Sequence, residues 1–192
     1  MRCCELVGVF ARVAGFILVP ATFLCAQPIY SITDVGTLGG QSTFTSAGAS
    51  ERFRNDAGQI VGGSQVAPPT LSSPSHAFLW DPVTGMQDLG TLGGNFSMAT
   101  AINDEGQVVG QANLQGDLAS HAFTWRDGIM TDLGTLPGDK NSRAITIDSD
   151  GQIYGYSCRD NPPFLTEVCH FVIWTPSEHV RGKHARKRVR PQ

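Results

Sequence analysis

The stretch Asp88-Leu-Gly-Thr-Leu-Gly-Gly94 occurs almost unchanged at two other places in this chain, as Asp34-Val-Gly-Thr-Leu-Gly-Gly40 and as Asp132-Leu-Gly-Thr-Leu-Pro-Gly138. The opening aspartates of the three copies are 54 and 44 residues apart. A motif that returns at such a period is typical of repeat architectures. The repetition therefore indicates the class of fold before any residue is assigned a chemical role.

Two further motifs follow each copy in a fixed order. In the second copy they are a turn motif, Asn103-Asp-Glu-Gly-Gln-Val-Val-Gly110, and an aromatic motif, His121-Ala-Phe-Thr-Trp125. The turn motif also occurs at residues 55–62 and 148–155, and the aromatic motif at residues 76–80 and 170–174. Asn, Asp and Gly tolerate the positive backbone angles of tight turns, so each turn motif predicts a reversal of the chain.

Short, alternately apolar stretches lie between these turns, and no stretch after the leader shows sustained helical periodicity. We therefore predict an all-β chain of three four-stranded antiparallel repeats, spanning about residues 30–86, 87–130 and 131–176 within a domain of residues 27–176. Such repeats suit blades of a β-propeller, but closed propellers usually contain four to eight blades. The prediction is thus a partial or oligomer-completed propeller. A β-trefoil is the alternative, since it also contains three four-stranded repeats.

The three motifs in this order resemble the bacterial HAF repeat, an extracellular repeat. The resemblance covers Thr33 to Trp174. It implies a propeller-like fold and supplies no catalytic residues. The third copy departs from the pattern at Pro137, at Asp148-Ser-Asp150 and at His170-Phe-Val-Ile173. These departures indicate a terminal, capping copy or a longer array that has been cut short.

The first 26 residues have the layout of a secretory signal peptide. Arg2 and Arg12 precede an uncharged run from Val13 to Ala26, whose last residue is small. The alternative is a membrane anchor, but a spanning helix needs about 20 apolar residues and Arg12 interrupts any longer window. We therefore expect a secreted or cell-envelope protein, in the bacterial periplasm or outside the cell.

Removal of that leader would leave two cysteines, Cys158 and Cys169. An even pair in an exported protein predicts a disulfide, here across the linker from Arg159 to Val168. The alternative is free thiols or metal ligands, but no histidine pattern of the zinc type accompanies them.

Charge is distributed unevenly. Residues 27–180 contain 16 acidic and six basic side chains, whereas residues 181–192 contain six Lys and Arg and no acid. An acidic body argues against nucleic acid as a partner. Residues 177–192 are predicted to be a basic disordered tail, with contact to anionic lipid or to the chain's own body as alternatives.

We assign packing or turn roles to the side chains that recur in each copy. They are His76, Trp80, His121, Trp125, His170, Trp174, Gly58, Gly106 and Gly151. Histidine is the commonest metal ligand, but His, Phe and Trp of the aromatic motif share one face of a strand. Equivalent histidines in separate repeats would also be too far apart for one ion. The tryptophans could stack on sugars, although a repeated strand Trp more often fills a core.

Two other motifs admit a chemical interpretation. Asp148-Ser-Asp150 has the spacing of calcium-loop carboxylates, but the remaining ligands of such a loop are missing, which favours a hairpin turn. The Gly-Thr-Leu-Gly-Gly runs lack the helix and lysine of a phosphate loop. No nucleophile elbow or His-Glu-x-x-His motif occurs.

These observations predict no enzyme activity, no cofactor and no metal. The expected function is a binding or interaction module, or a structural module of the cell envelope. Its partner would be an extracellular protein or glycan, with no nucleic acid and no stable membrane insertion after signal removal, and the odd blade count allows a homo-oligomer. The alternatives are a fragment of an extracellular propeller hydrolase and a carbohydrate-binding trefoil lectin.

Overall fold

The computed structural model describes residues 30–45, 52–67, 74–161 and 166–176. The predicted signal peptide and the predicted basic tail lie outside these residues. The chain divides into two units, Met1–Thr33 and Asp34–Gln192. Within the first unit, the described residues 30–33 belong to no helix or strand. All strands of the described residues belong to the second unit.

The described residues are all β, as the sequence predicted, and contain no helix. The strands, in chain order, are β1 (Thr43–Phe44), β2 (Ile60–Gln65), β3 (Ser75–Asp81), β4 (Gly85–Gly90), β5 (Gly93–Ile102), β6 (Val108–Leu114), β7 (Ser120–Arg126), β8 (Ile129–Asp132), β9 (Asn141–Ile147), β10 (Ile153–Asn161) and β11 (Thr166–Trp174).

Consecutive strands pair antiparallel in three meanders. The first meander comprises β1 to β4, the second β5 to β8, and the third β9 to β11. A single parallel bridge between Ser75 and Phe96 joins the first meander to the second, and both resulting sheets are open. Two of the three repeats therefore have four strands, while the described part of the third has three.

The meanders begin and end at different residues from the repeats that the sequence predicts. Asp88 lies in β4 and Asp132 in β8, each in the last strand of a meander. The Asp-Leu-Gly triplet thus completes one meander, and the following Gly-Thr-Leu segment leads into the next one.

The core consists of two layers, each between two successive meanders. Successive residues of a strand point to opposite faces of the sheet, so Val108 and Val109 of β6 belong to different layers. Between the first and second meanders lie Val61, Ala77, Leu79, Leu89, Ala99, Ile102, Val108, Ala112, Phe123 and Trp125. Between the second and third meanders lie Ala101, Val109, Ala122, Ala144, Ile147 and Ile153. Face-to-face stacking is what holds the repeats together.

The final glycine of each turn motif permits two strands to approach closely. A Cβ atom on Gly110 would overlap the carbonyl oxygen of Met98, and the ladder between β5 and β6 is irregular at this point. The same relation holds for Gly62 with Phe44 and for Gly155 with Arg143. The recurrence of this glycine therefore has a steric cause.

Candidate functional site

Two of the three recurring histidines are held by the aspartate that opens the next motif. His76 Nδ1 lies 2.8 Å from Asp88 Oδ2, and His121 Nδ1 lies 2.9 Å from Asp132 Oδ2. The contact forms because β3 pairs with β4 and β7 with β8. The aromatic motif and the Asp-Leu-Gly motif are therefore two halves of one structural contact.

The same aspartates also shape the chain that leaves the meander. Oδ1 of Asp132 accepts a hydrogen bond from the backbone N–H of Gly134 at 2.7 Å, and Gly134 has φ of 67°. Asp88 binds the N–H of Gly90 in the same way. Because an acceptor-only carboxylate faces Nδ1, the proton of each paired imidazole is expected on Nδ1. One carboxylate thus fixes both a side chain and a turn.

His170 has a different environment. Its Nδ1 lies 3.8 Å from Oδ2 of Asp139, and its side chain is 49 % exposed. Asp139 accepts the hydroxyl of Ser157 at 2.7 Å. The difference follows from the third meander, whose described residues include no fourth strand to carry an equivalent of Asp132. The structure therefore places the three histidines on three separate meanders.

Cys158 and Cys169 form the disulfide that the sequence predicted. They are direct neighbours across β10 and β11, with Cα atoms 4.1 Å apart. The linker expected from Arg159 to Val168 is largely strand, since β10 continues to Asn161 and β11 begins at Thr166. Glu167 lies beside the two sulfur atoms, but disulfide sulfurs are not thiolates and do not offer a metal the usual ligand.

The turn motifs are linked by buried asparagines. Oδ1 of Asn103 accepts the N–H of Gln107 at 2.9 Å, and Asn55 does the same for Gln59 at 3.0 Å. Each asparagine then donates through Nδ2 to the next turn: Asn55 to the carbonyl of Asn103 at 3.2 Å, and Asn103 to the carbonyl of Asp148 at 3.3 Å. These two bonds, here called the amide ladder, join all three meanders.

The glycines of the turn motifs sit where the backbone has positive φ. The values are 79° for Gly58, 76° for Gly106 and 78° for Gly151. Glycine adopts this region without steric cost. The three residues therefore have a backbone role in the structure.

Asp148 ends the amide ladder because a carboxylate has no N–H to donate. Its Oδ1 accepts the N–H of Gln152 at 2.9 Å, and its Oδ2 accepts the hydroxyl of Tyr154 at 3.0 Å. This hydrogen bond, together with burial and the negative charges of Asp148 and Asp150, raises the pKa of Tyr154. The acid pair of the third copy thus serves a local turn.

Two serines that the sequence did not single out connect neighbouring meanders. The hydroxyl of Ser142 accepts the N–H of Ala122 at 2.9 Å and donates to the carbonyl of Gly134 at 2.7 Å. Ser97 bridges Ala77 and Gly90 in the same manner. Their only sequence signal is a serine shortly after each Gly-Thr-Leu segment.

The three tryptophans occupy equivalent positions in their strands but differ in burial. Trp125 is 7 % exposed in the layer between the first and second meanders. Trp174 packs against the layer between the second and third, and its Nε1 donates to the carbonyl of Leu133 at 3.0 Å. Trp80 is half-buried on the face of the first meander that points away from the second.

One end of the sheets, here called the turn end, carries the turn motifs and the hairpin between β7 and β8. Exposed carboxylates gather there, among them Glu105 on the β5–β6 connection and Asp127 on the β7–β8 connection, which lie 4.0 and 3.7 Å from the guanidinium of Arg126. Others belong to the turn motifs themselves, namely Asp56, Asp104 and Asp150. Nearby, the N–H of Val83 and the amide of Gln59 hydrogen-bond Asp81 and lower the pKa of its carboxyl. The turn end is therefore acidic.

No helix in the described ranges is long and apolar enough to cross a membrane. No protein-family model matches the chain, and neither a curated protein nor a solved structure matches it.

Proposed function

We propose that this chain is an exported, non-catalytic interaction module of the HAF-repeat type, which uses its acidic turn end to contact a cationic extracellular protein or glycan. Its architecture would be a partial or oligomer-completed propeller. The observation that carries this proposal is the use of the recurring polar side chains: the paired histidines, the aspartates, the asparagines and the serines are all engaged in bonds that hold strands, turns and meanders together.

The same observation argues against the hydrolase alternative. A nucleophile is normally hydrogen-bonded to its base at about 2.6–3.2 Å. Among the described residues, no hydroxyl or thiol is hydrogen-bonded to His76, His121 or His170, and the partners of the paired imidazoles are strand carboxylates. These side chains support packing roles better than proton transfer.

Export is supported by the disulfide and by the leader sequence. Disulfides persist mainly in oxidising compartments such as the periplasm and the extracellular space, and Cys158 is bonded to Cys169. A cationic partner is supported by the excess of acidic over basic side chains in residues 27–180, since surfaces of opposite charge attract and steer one another.

The propeller-type arrangement is supported by the antiparallel meanders and by cores that lie between successive meanders. A trefoil lectin is less well supported, because neither sheet of the described residues closes on itself and because Trp125 is too buried to offer an open ring face to a sugar.

Binding can be tested by sedimentation of the exported protein with isolated bacterial envelopes at increasing salt. The test variant is Asp104→Asn with Asp127→Asn, which removes two charges from the turn end. The matched control is Asp117→Asn with Asp160→Asn, which removes two charges from the opposite end of the sheets; Asp117 and Asp127 also share positive φ.

We expect several-fold weaker retention of the test variant and unchanged retention of the control, with retention falling as salt rises. Equal retention of the test and control variants would show that the turn end is not the contact surface. Hydrolysis of chromogenic esters or glycosides by the wild type, lost in His121→Ala, would replace the proposal with the hydrolase alternative.

A further inference from the structure

The outer edge of β11 carries backbone groups that are positioned to receive another strand. The 4.1 Å between the Cα atoms of Cys158 and Cys169 is typical of a pair whose N–H and C=O groups point away from the partner strand. Phe171 lies two residues further along β11, opposite Tyr156, and has the same orientation. Its N–H and C=O therefore face the edge that no strand of the described residues occupies.

The second meander shows what these groups do when the fourth strand is present. Ala122 is the residue equivalent to Phe171, because each follows the histidine of the aromatic motif. The carbonyl of Ala122 accepts the N–H of Leu133, just beyond β8, at 2.9 Å. Its N–H donates to Ser142 of the following meander at 2.9 Å.

The chain contains a segment that resembles the fourth strands in sequence but pairs with no strand of the described residues. Ile32-Thr-Asp-Val-Gly36 corresponds to Met130-Thr-Asp-Leu-Gly134 and to Met86-Gln-Asp-Leu-Gly90. Residues 31–36 nevertheless belong to no strand, and Ile32 is fully exposed. Asp34 makes the expected turn bond to the N–H of Gly36 at 2.9 Å, but it faces no histidine among the described residues.

Thr43 makes one of the two hydrogen bonds that Ser142 makes. Its Oγ1 donates to the carbonyl of Gly36 at 2.6 Å, as Ser142 does to Gly134. In the two internal junctions this hydroxyl also accepts an N–H from the preceding meander. Thr43 belongs to the first meander of the described residues, and no earlier meander among them supplies such an N–H.

We propose that residues 31–36 of a second copy of this chain add to the outer edge of β11 as the missing fourth strand. Asp34 of the second copy then binds Nδ1 of His170, as Asp132 binds His121. The N–H of Val35 of the second copy donates to the carbonyl of Phe171, and Thr43 of the second copy accepts the N–H of Phe171.

The face of the third meander supports the same arrangement. Phe171 and Ile173 are 62 % and 52 % exposed, whereas Ala77 and Ala122, the equivalents of Phe171, are fully buried against the next meander. The added strand leads directly into the first meander of the second copy, which would cover this face. Continuity with the two internal junctions therefore identifies the occupant.

Two copies that exchange these strands contain six meanders. Closed propellers usually have four to eight blades, and six falls in that range. The new junction would lack one bond of the internal junctions, because Asp148 cannot extend the amide ladder. The dimer is therefore expected to dissociate more readily than the meanders of one chain separate. This inference does not depend on the ligand of the turn end.

The pairing register provides a direct test by cross-linking. Thr124 pairs with Thr131 in the second meander, so Ile173 of one copy should oppose Thr33 of the other. The exported Thr33→Cys and Ile173→Cys proteins are prepared separately, mixed, and oxidised mildly. We expect a disulfide-linked species of twice the chain mass in the mixture and almost none in either protein alone. A mixture of Leu118→Cys and Ile173→Cys is the control, since Leu118 is 80 % exposed on the β6–β7 connection of the second meander, at the opposite end of the sheets from Ile173.

Sedimentation of uncross-linked variants gives a second measurement. We expect dimers for the wild type and for Leu118→Glu, and at least a tenfold larger dissociation constant for Ile32→Glu. An unlinked mixture together with a monomeric wild type would overturn the proposal. So would the Thr33→Cys/Ile173→Cys double variant, if it became linked within a single chain, because the strand would then close on its own copy.

Discussion

The carboxylate of Asp132 lies 2.9 Å from Nδ1 of His121 across the last two strands of the second meander. This contact recurs between Asp88 and His76, and it joins the aromatic motif to the Asp-Leu-Gly motif on the next strand of the same meander. The two motifs therefore belong to one meander, although the sequence assigns them to successive repeats.

Breaking this pair should lower stability without abolishing the fold. His121→Ala and Asp132→Ala are each expected to reduce the free energy of unfolding by about 1–2 kcal/mol, because a hydrogen bond to a charged group is lost at a half-buried site. Urea denaturation would measure this. The double variant should cost less than the two single variants together, whereas full additivity would show that the side chains do not interact. His170→Ala is the control, because Nδ1 of His170 lies 3.8 Å from Oδ2 of Asp139, beyond hydrogen-bond distance.

The close approach at Gly110 should tolerate no side chain. Gly110→Ala is expected to cost about 2–3 kcal/mol or more, because the new Cβ overlaps the carbonyl of Met98 in a packed region. The control is Gly116→Ala, which pays only for its positive φ, about 1 kcal/mol, since nothing lies near its Cβ position. Thermal unfolding monitored by circular dichroism would compare the two, and equal costs would contradict the steric explanation.

The amide ladder predicts an asymmetry between two similar substitutions. Asn103→Asp should destabilise the protein by about 1–3 kcal/mol, because it removes the donor to the carbonyl of Asp148 and buries a carboxyl at a site only 3 % exposed. Asp148→Asn should have a much smaller effect, since no further turn among the described residues of the same chain accepts a hydrogen bond from this position. Chemical denaturation at neutral pH would test this. Equal losses in the free energy of unfolding would argue against an amide ladder in which each asparagine donates to the following turn.

The disulfide should contribute measurably to the third meander. Replacement of Cys158 and Cys169 by alanine opens a loop defined by a separation of 11 residues. The expected loss is about 3 kcal/mol in the chain-entropy model. Hydrogen exchange should show that β10 and β11 lose more protection than β6 and β7. Uniform loss over all strands would indicate that the bond stabilises the whole domain.

Tyr154 should titrate above its ordinary pKa in the folded protein. Its neutral hydroxyl donates to Asp148, so this bond contributes stability that is fully present below about pH 10, the unfolded pKa. That contribution is lost as pH rises through the higher folded pKa of Tyr154. Tyrosinate absorbance during alkaline titration would follow it, with Tyr154→Phe as the assignment control. In Asp148→Asn the pKa of Tyr154 should fall, and an unchanged titration would exclude the carboxylate as the cause.

Local patterns were sufficient to predict the strands and the covalent link. Alternating apolar residues and Asn-Asp-Gly turns depend on neighbouring residues only, so the all-β class could be predicted from them. The pairing of Cys158 with Cys169 could be predicted because they are the two cysteines that lie outside the predicted leader. The Ser97 and Ser142 connections could not be predicted in this way, because each serine binds a strand that lies in another repeat.

The sequence by itself determined that this chain is β-structured, repetitive and linked between Cys158 and Cys169, because these properties follow from periodicity, turn chemistry and the positions of the cysteines. Only the tertiary structure decided where one meander ends and the next begins. It assigns Asp88 and Asp132 to the end of a meander, since their partners His76 and His121 lie on the adjacent strand. It also shows which faces are covered and which strand edge stays open, because burial and pairing depend on residues that are distant in the chain.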